Sequence, residues 1–154
     1  MGCDIHSYAE KRNAEGKWEI VPNLNPFSSR SYGTFGFLAG VRNYSQITPI
    51  AQPRGLPDDI SDIVSGEYDA WSGNAHTMSW LSVDELAAFD YDAICEDRRV
   101  TRQVGPNSYN GGCTCEQGEG KMQTYREFLG HWFLDDIQEL RDVGAERVVF
   151  WFDN

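Results

Sequence analysis

Arg147-Val148-Val149-Phe150-Trp151-Phe152-Asp153, the run RVVFWFD near the carboxyl terminus, decides the fold. Its apolar residues are consecutive, without the period of two that a half-exposed strand shows. They read as a central strand buried on both faces. Such a strand needs covered neighbours, and the opening residues supply one. From Cys3 to Glu10 the side chains alternate. Cys3, Ile5, Ser7 and Ala9 are small or apolar and take one side, while Asp4, His6, Tyr8 and Glu10 are polar and take the other. Pairing this strand with the last orders both termini, which otherwise fray. Asn13 to Gly16 reads as a turn, and Lys17 to Val21 as the returning strand.

The strongest helical signal lies between Thr124 and Val143. Tyr125, Phe128, Leu129, Trp132, Phe133, Ile137 and Leu140 recur at helical spacing, and Gly144 stands where a C′ residue belongs. The expected fold is therefore α+β: a small mixed sheet containing both terminal strands, packed against a long carboxy-terminal helix. Tyr32 to Tyr44 is apolar and could be a helix. Each of its glycines weakens that reading by about 1 kcal/mol relative to alanine, or else admits a close approach. Asp58 or Asp59 caps a helix bearing Ile60, Ile63, Val64 and Tyr68, which ends at Ser72-Gly73-Asn74. A loop carrying His76 to Trp80 follows, then a capping box from Ser82 and Glu85. Asp97 to Val104 reads as a strand. Residues 105–120 lack hydrophobic period and read as a Gly- and Cys-rich loop excursion or hairpin tip.

A length of 154 residues predicts one domain. The formal charge of −11 repels a phosphate backbone and excludes a general nucleic-acid binder. A small phosphate-bearing ligand held by a local arginine cluster stays open. There is no basic, apolar leader and no run of the roughly 18 apolar residues that a membrane helix needs. The expectation is a cytoplasmic protein without membrane contact. Cys3, Cys95, Cys113 and Cys115 are compatible with two disulfides, yet their clustering favours reduced thiols. Cys113-x-Cys115, with Cys95, is half of a zinc pattern and lacks the second pair.

Asp4 and His6, two residues apart on one strand face, can reach a single point. There they could hold a divalent metal, or act as a base and its orienting partner. The plainer reading is a surface strand with ordinary polar residues. His76 and Ser79 could serve in proton transfer or nucleophilic attack, and Asp153 at the end of the buried strand could join Asp4 and His6. Arg30, Arg42 and Arg54 suit bidentate grip of phosphate, or salt bridges to the many carboxylates. Trp80 and Tyr32 could stack on a base, or fill core.

These motifs together resemble a family of small uncharacterised proteins from bacteriophages and bacteria. Its members open MGCDIH, as Met1 to His6 do here, and end in a VFWFDN-type strand, as Val149 to Asn154 do. Between these, Arg30-Ser31-Tyr32, Leu38-Ala39-Gly40-Val41-Arg42, Pro53-Arg54-Gly55-Leu56-Pro57 and His76-Thr77-Met78-Ser79-Trp80-Leu81 match the family's blocks. Thr77 stands where the family usually has serine. The resemblance implies that Asp4, His6, Arg54, His76 and Asp153 share one site, and a phage setting implies work inside the host cell. It supplies no reaction. The leading expectation is a metal-assisted hydrolase of a nucleotide-like phosphate compound, with Asp4 and His6 as ligands and a metal-bound water as nucleophile. The alternative is a module that sequesters a nucleotide signal or host protein without chemistry. The third is a structural phage component.

Overall fold

The computed structural model describes residues Met1–Asn154. The elements run β1 (Asp4–Arg12), β2 (Trp18–Ile20), α1 (Tyr32–Ala39), α2 (Asp62–Trp71), β3 (His76–Ser82), α3 (Val83–Ala88), β4 (Ile94–Asp97), β5 (Arg99–Gly105), β6 (Ser108–Thr114), β7 (Lys121–Thr124), α4 (Tyr125–Leu129), α5 (His131–Asp142) and β8 (Arg147–Asp153). They form two compact units. The first comprises residues 1–30, 52–89 and 132–154; the second comprises residues 31–51 and 90–131.

In the first unit the sheet order is β2-β1-β8-β3, so the two terminal strands lie side by side. All three pairings are antiparallel, rather than mixed as expected, because every neighbour of β1 and β8 runs against it. Asp4 faces Asp153, His6 faces Trp151 and Glu10 faces Arg147. Every β8 residue except Asp153 is buried. On one face Val64 of α2 meets Val149 and Trp151, with Tyr8, Tyr68 and Trp71 packed around them. The other face reaches α5 through the Pro26–Phe27 corner. The Ser7 hydroxyl donates to the Pro26 carbonyl, and the Phe27 N–H donates to Asp136 at 2.8 Å. The Phe27 ring stacks on Phe133 at 4.5 Å. Cys3, expected as a small buried hydrophobe, is fully buried.

Several local expectations are corrected. Ser61, not Asp58 or Asp59, stands at the N-cap of α2, and Ile63 is 60% exposed. His76 to Ser82 is an edge strand rather than a loop. The capping box at Ser82 and Glu85 forms as read. The long helix over 124–143 is two helices, divided at Gly130 (φ 80°, ψ 166°). That backbone region is accessible to glycine almost alone. The break turns Trp132 out of the apolar stripe, leaving it 73% exposed. Gly130→Ala is expected to cost about 1–3 kcal/mol through backbone strain. A thermal melt reads it, and an unchanged midpoint would mean that the break relaxes without cost.

In the second unit α1 packs its aromatic residues tightly, with Phe37 5.6 Å from Tyr125 and 6.1 Å from Tyr91 between ring centres. A Cβ on Gly36 would lie 2.8 Å from Asn43 Oδ1, so the close approach here is to the protein's own side chain. β4 pairs with β7 and β5 with β6, each as a two-stranded ribbon. The stretch read as a loop excursion or hairpin tip holds the tip and second strand of the β5–β6 hairpin and leads into β7. No helix is long and apolar enough to cross a membrane.

Candidate functional site

The register of β1 against β8 gathers one cluster at the two termini. The His6 Nε2 lies 2.7 Å from Asp153 Oδ2. The His6 ring sits 4.1 Å from that of Trp71 and 6.1 Å from that of Trp151. Arg30 grips Asp4 with Nε at 2.7 Å and Nη2 at 2.5 Å, one bond to each carboxylate oxygen. This fork holds the Asp4 carboxyl below its ordinary 3.8. Asp4, His6 and Asp153 do come together, but Asp4 spends both oxygens on Arg30 and His6 spends Nε2 on Asp153. No three His, Cys, Asp or Glu side chains are grouped so as to hold a metal ion.

The other expected residues lie elsewhere. His76 pairs in register with Phe152 and stacks on its ring, while His6 stacks on Trp151. Adjacent residues of a strand face opposite sides, so the two imidazoles are on opposite faces of the sheet. His76 contacts Asn154 Oδ1 at 2.8 Å and Thr77 Oγ1 at 2.9 Å. Ser79 is 1% exposed, and its hydroxyl accepts the Arg54 N–H at 3.1 Å, a structural task. Arg42 and Tyr32 belong to the second unit, where the guanidinium lies 6.0 Å from the Tyr32 ring and donates to the Tyr44 hydroxyl at 3.3 Å.

Arg54 and Trp80 belong to a second constellation, toward the other end of β8. A groove of about 720 Å³ opens there, lined by Arg12, Trp18, Arg54, Leu56, Pro57, Asp58, Asp59, Trp80, Ser82 and Arg147. Two guanidiniums lie on its two indoles: Arg147 is 3.7 Å from the Trp18 ring centre and Arg54 is 4.9 Å from that of Trp80. Arg12 also lies over Trp18, at 5.2 Å. Such cation–π contacts fix both partners and leave planar surface beside positive charge.

Carboxylates hold each guanidinium. Arg147 donates Nε to Glu10 at 2.7 Å and Nη1 to Asp59 at 2.7 Å. Glu10, wholly buried, also accepts the Ser61 N–H at 2.8 Å. Arg54 makes a two-pronged pair with Glu85 at 2.8 and 2.6 Å, and Arg12 pairs with Glu146. These bonds lower the Asp59, Glu85 and Glu146 carboxyls and raise Arg12 and Arg54. Arg12, Trp18, Asp59, Glu10 and Arg147 are not site candidates in the sequence reading. One signal was present: an acid on β1 and a base at the head of a continuously apolar strand, which pair once both strands are buried.

No family model, curated protein or solved structure matches the chain. The constellation itself must therefore supply the functional reading.

Proposed function

We propose that the protein binds a small phosphate-bearing ligand with a planar ring, nucleotide-like, in the groove between Trp18 and Trp80, and retains it without chemistry. The observation that carries this reading is the placement of two guanidiniums on two indoles across one groove. An indole offers stacking surface to a base, and a guanidinium forks onto phosphate. The Arg54–Glu85 and Arg12–Glu146 pairs are partly exposed, at 32%/29% and 57%/34%. Arg12–Glu146 is the more exposed of the two, and an exposed ion pair is worth about 0–1 kcal/mol, so a phosphate displaces that carboxylate at small cost. His6, His76, Ser79 and Asp153 do not line the groove, which favours retention over turnover. The reading places the protein in a cell's cytoplasm, where such ligands are found.

A second reading, the metal-assisted hydrolase, draws on one specific contact: His6 against Asp153 beside Trp71. One experiment separates the two. The protein is titrated with a nucleotide panel, followed by tryptophan fluorescence and calorimetry, with added divalent cation and then with chelator. Binding that survives chelator, with the nucleotide recovered intact, is the expected result. Trp80→Ala should weaken it about tenfold, the loss of one stacking partner. Turnover only in the presence of metal would establish the hydrolase instead. No binding by any nucleotide would end the first reading.

A further inference from the structure

We infer that the β5–β6 hairpin is a docking arm for the acidic surface of a second copy of this chain. Thr101 to Val104 and Pro106 to Gly112 are all exposed, and the ribbon has no third strand. A two-stranded hairpin is marginally stable in water by itself. This one is anchored toward its base, where Thr114 Oγ1 donates to the Tyr44 carbonyl at 2.7 Å and the Arg99 guanidinium lies 4.8 Å from the Phe128 ring centre. Near its tip it exposes two large apolar side chains, Val104 at 65% and Tyr109 at 66%. Single exposed apolar residues are ordinary. Two at the end of an otherwise polar, uncovered arm have the composition of contact residues, in which tyrosine and arginine dominate.

Charge selects the partner. Residues 98–115 hold three arginines and no acidic residue. The rest of the chain holds ten basic against 24 acidic residues, a balance of −14. The arm is therefore a basic element on an acidic protein, and the acidic surface that complements it is present on every other copy. α2 exposes Asp62, Glu67 and Asp69, and α5 exposes Asp135, Glu139 and Asp142. Of the arginines, Arg102 is the exposed one without a carboxylate partner. It donates only to the Thr114 carbonyl at 3.1 Å, whereas Arg99 pairs with Asp97 and Arg98 donates to the Cys115 carbonyl.

Contact is through the arm's faces, not its edges. The register shifts between Val100 and Arg102 and between Gln103 and Gly105, and Pro106 sits in the turn. Bulges, charge and proline are the features that stop open strand edges from adding further strands. Reciprocal exchange of two arms, each laid on the other copy's acidic surface, closes the assembly at a dimer. The attraction between arm and surface is local, acting within a Debye length of about 10 Å at 0.1 M salt, so it operates despite the like net charges.

Sedimentation velocity on the full chain tests this across protein concentration and salt. The expected result is a monomer–dimer equilibrium that weakens as salt rises. The triple variant Arg102→Glu, Val104→Ser, Tyr109→Ser should raise the dimer dissociation constant about tenfold or more. At a protein concentration low enough that both are monomeric, its melting temperature should match the parent's, since all three side chains are exposed. A monomer at every concentration in low salt overturns the inference, and so does a dimer unchanged in the variant. If the parent instead binds a duplex DNA or RNA fragment and the variant does not, the arm's partner is a nucleic acid and the second copy is ruled out.

Discussion

Glu10→Ala should lower folding stability by about 3–5 kcal/mol, the usual cost of removing one partner from a buried ion pair. Glu10 is wholly buried and Arg147 is 5% exposed, so neither charge is screened by solvent. The pair joins β1 to β8 in register, and Glu10 also accepts the Ser61 N–H at the start of α2. With Glu10 gone, Arg147 keeps Asp59, but its Nε loses its only carboxylate and Ser61 loses its acceptor. Asp59 cannot replace Glu10, since it lies at the surface, with a side chain 64% exposed. The cost is that of stranding a charge, so the double variant Glu10→Leu, Arg147→Met should lose less than either single change. Urea unfolding of the three variants measures it. A loss under about 1 kcal/mol for Glu10→Ala would mean that water or Asp59 satisfies the guanidinium. The same variants bear on the proposed ligand, because Arg147 is held against Trp18 by these carboxylates. The double variant should fold yet bind a nucleotide more weakly than the parent.

The α+β class and the pairing of both terminal strands were legible from two patterns, continuous burial in β8 and alternation in β1. Burial forces a neighbour on β8, and a period of two gives β1 one apolar face to place. The same logic puts Asp4 and His6 on the side of Asp153. It fails at His76. The strand HTMSWLS is an edge with polar residues on both sides, and its register shifts between His76 and Ser79, where Thr77 adopts φ 53°. An irregular edge strand leaves no period to read, so the stretch reads as a loop, and the family resemblance alone groups His76 with His6. The break at Gly130 was hidden for another reason. Apolar spacing continues across it, and a lone glycine inside a helical pattern costs only about 1 kcal/mol, so it does not by itself mark a break. The groove was missed because its polar residues are far apart in sequence, with Arg12, Asp59 and Arg147 meeting only after the sheet and the 54–59 segment assemble. Nothing in composition marks the division into two units either, since no linker separates them and the chain passes between them at ordinary positions.

The face of the sheet beneath α2 should depend on Trp151 more than on any other apolar residue. Its ring is fully buried, stacked on Tyr8 at 5.3 Å and set edge-on to Tyr68 at 5.3 Å. Trp151→Ala removes the largest buried side chain and leaves a cavity between α2 and β8. The expected loss is about 3–5 kcal/mol, the range for truncating a core aromatic residue. Domains of this size hold roughly 5–15 kcal/mol in all, so a measurable unfolded fraction at room temperature follows if the parent lies near the lower bound. Trp151→Phe should behave differently. The indole N–H is buried without a hydrogen-bond partner, and leaving such a donor unsatisfied costs about 1–3 kcal/mol. Phenylalanine gives up part of the packing but removes that penalty, so its net loss should be well under half that of alanine. Far-UV circular dichroism during urea unfolding compares the two, since tryptophan fluorescence changes with the substitution itself. Equal losses would mean that packing volume alone governs the position. A His6→Ala control, made in the Trp151→Phe background, separates core packing from the imidazole that lies against the same ring. Because His6 is partly exposed and touches Trp151 only at 6.1 Å, it should add little to the loss.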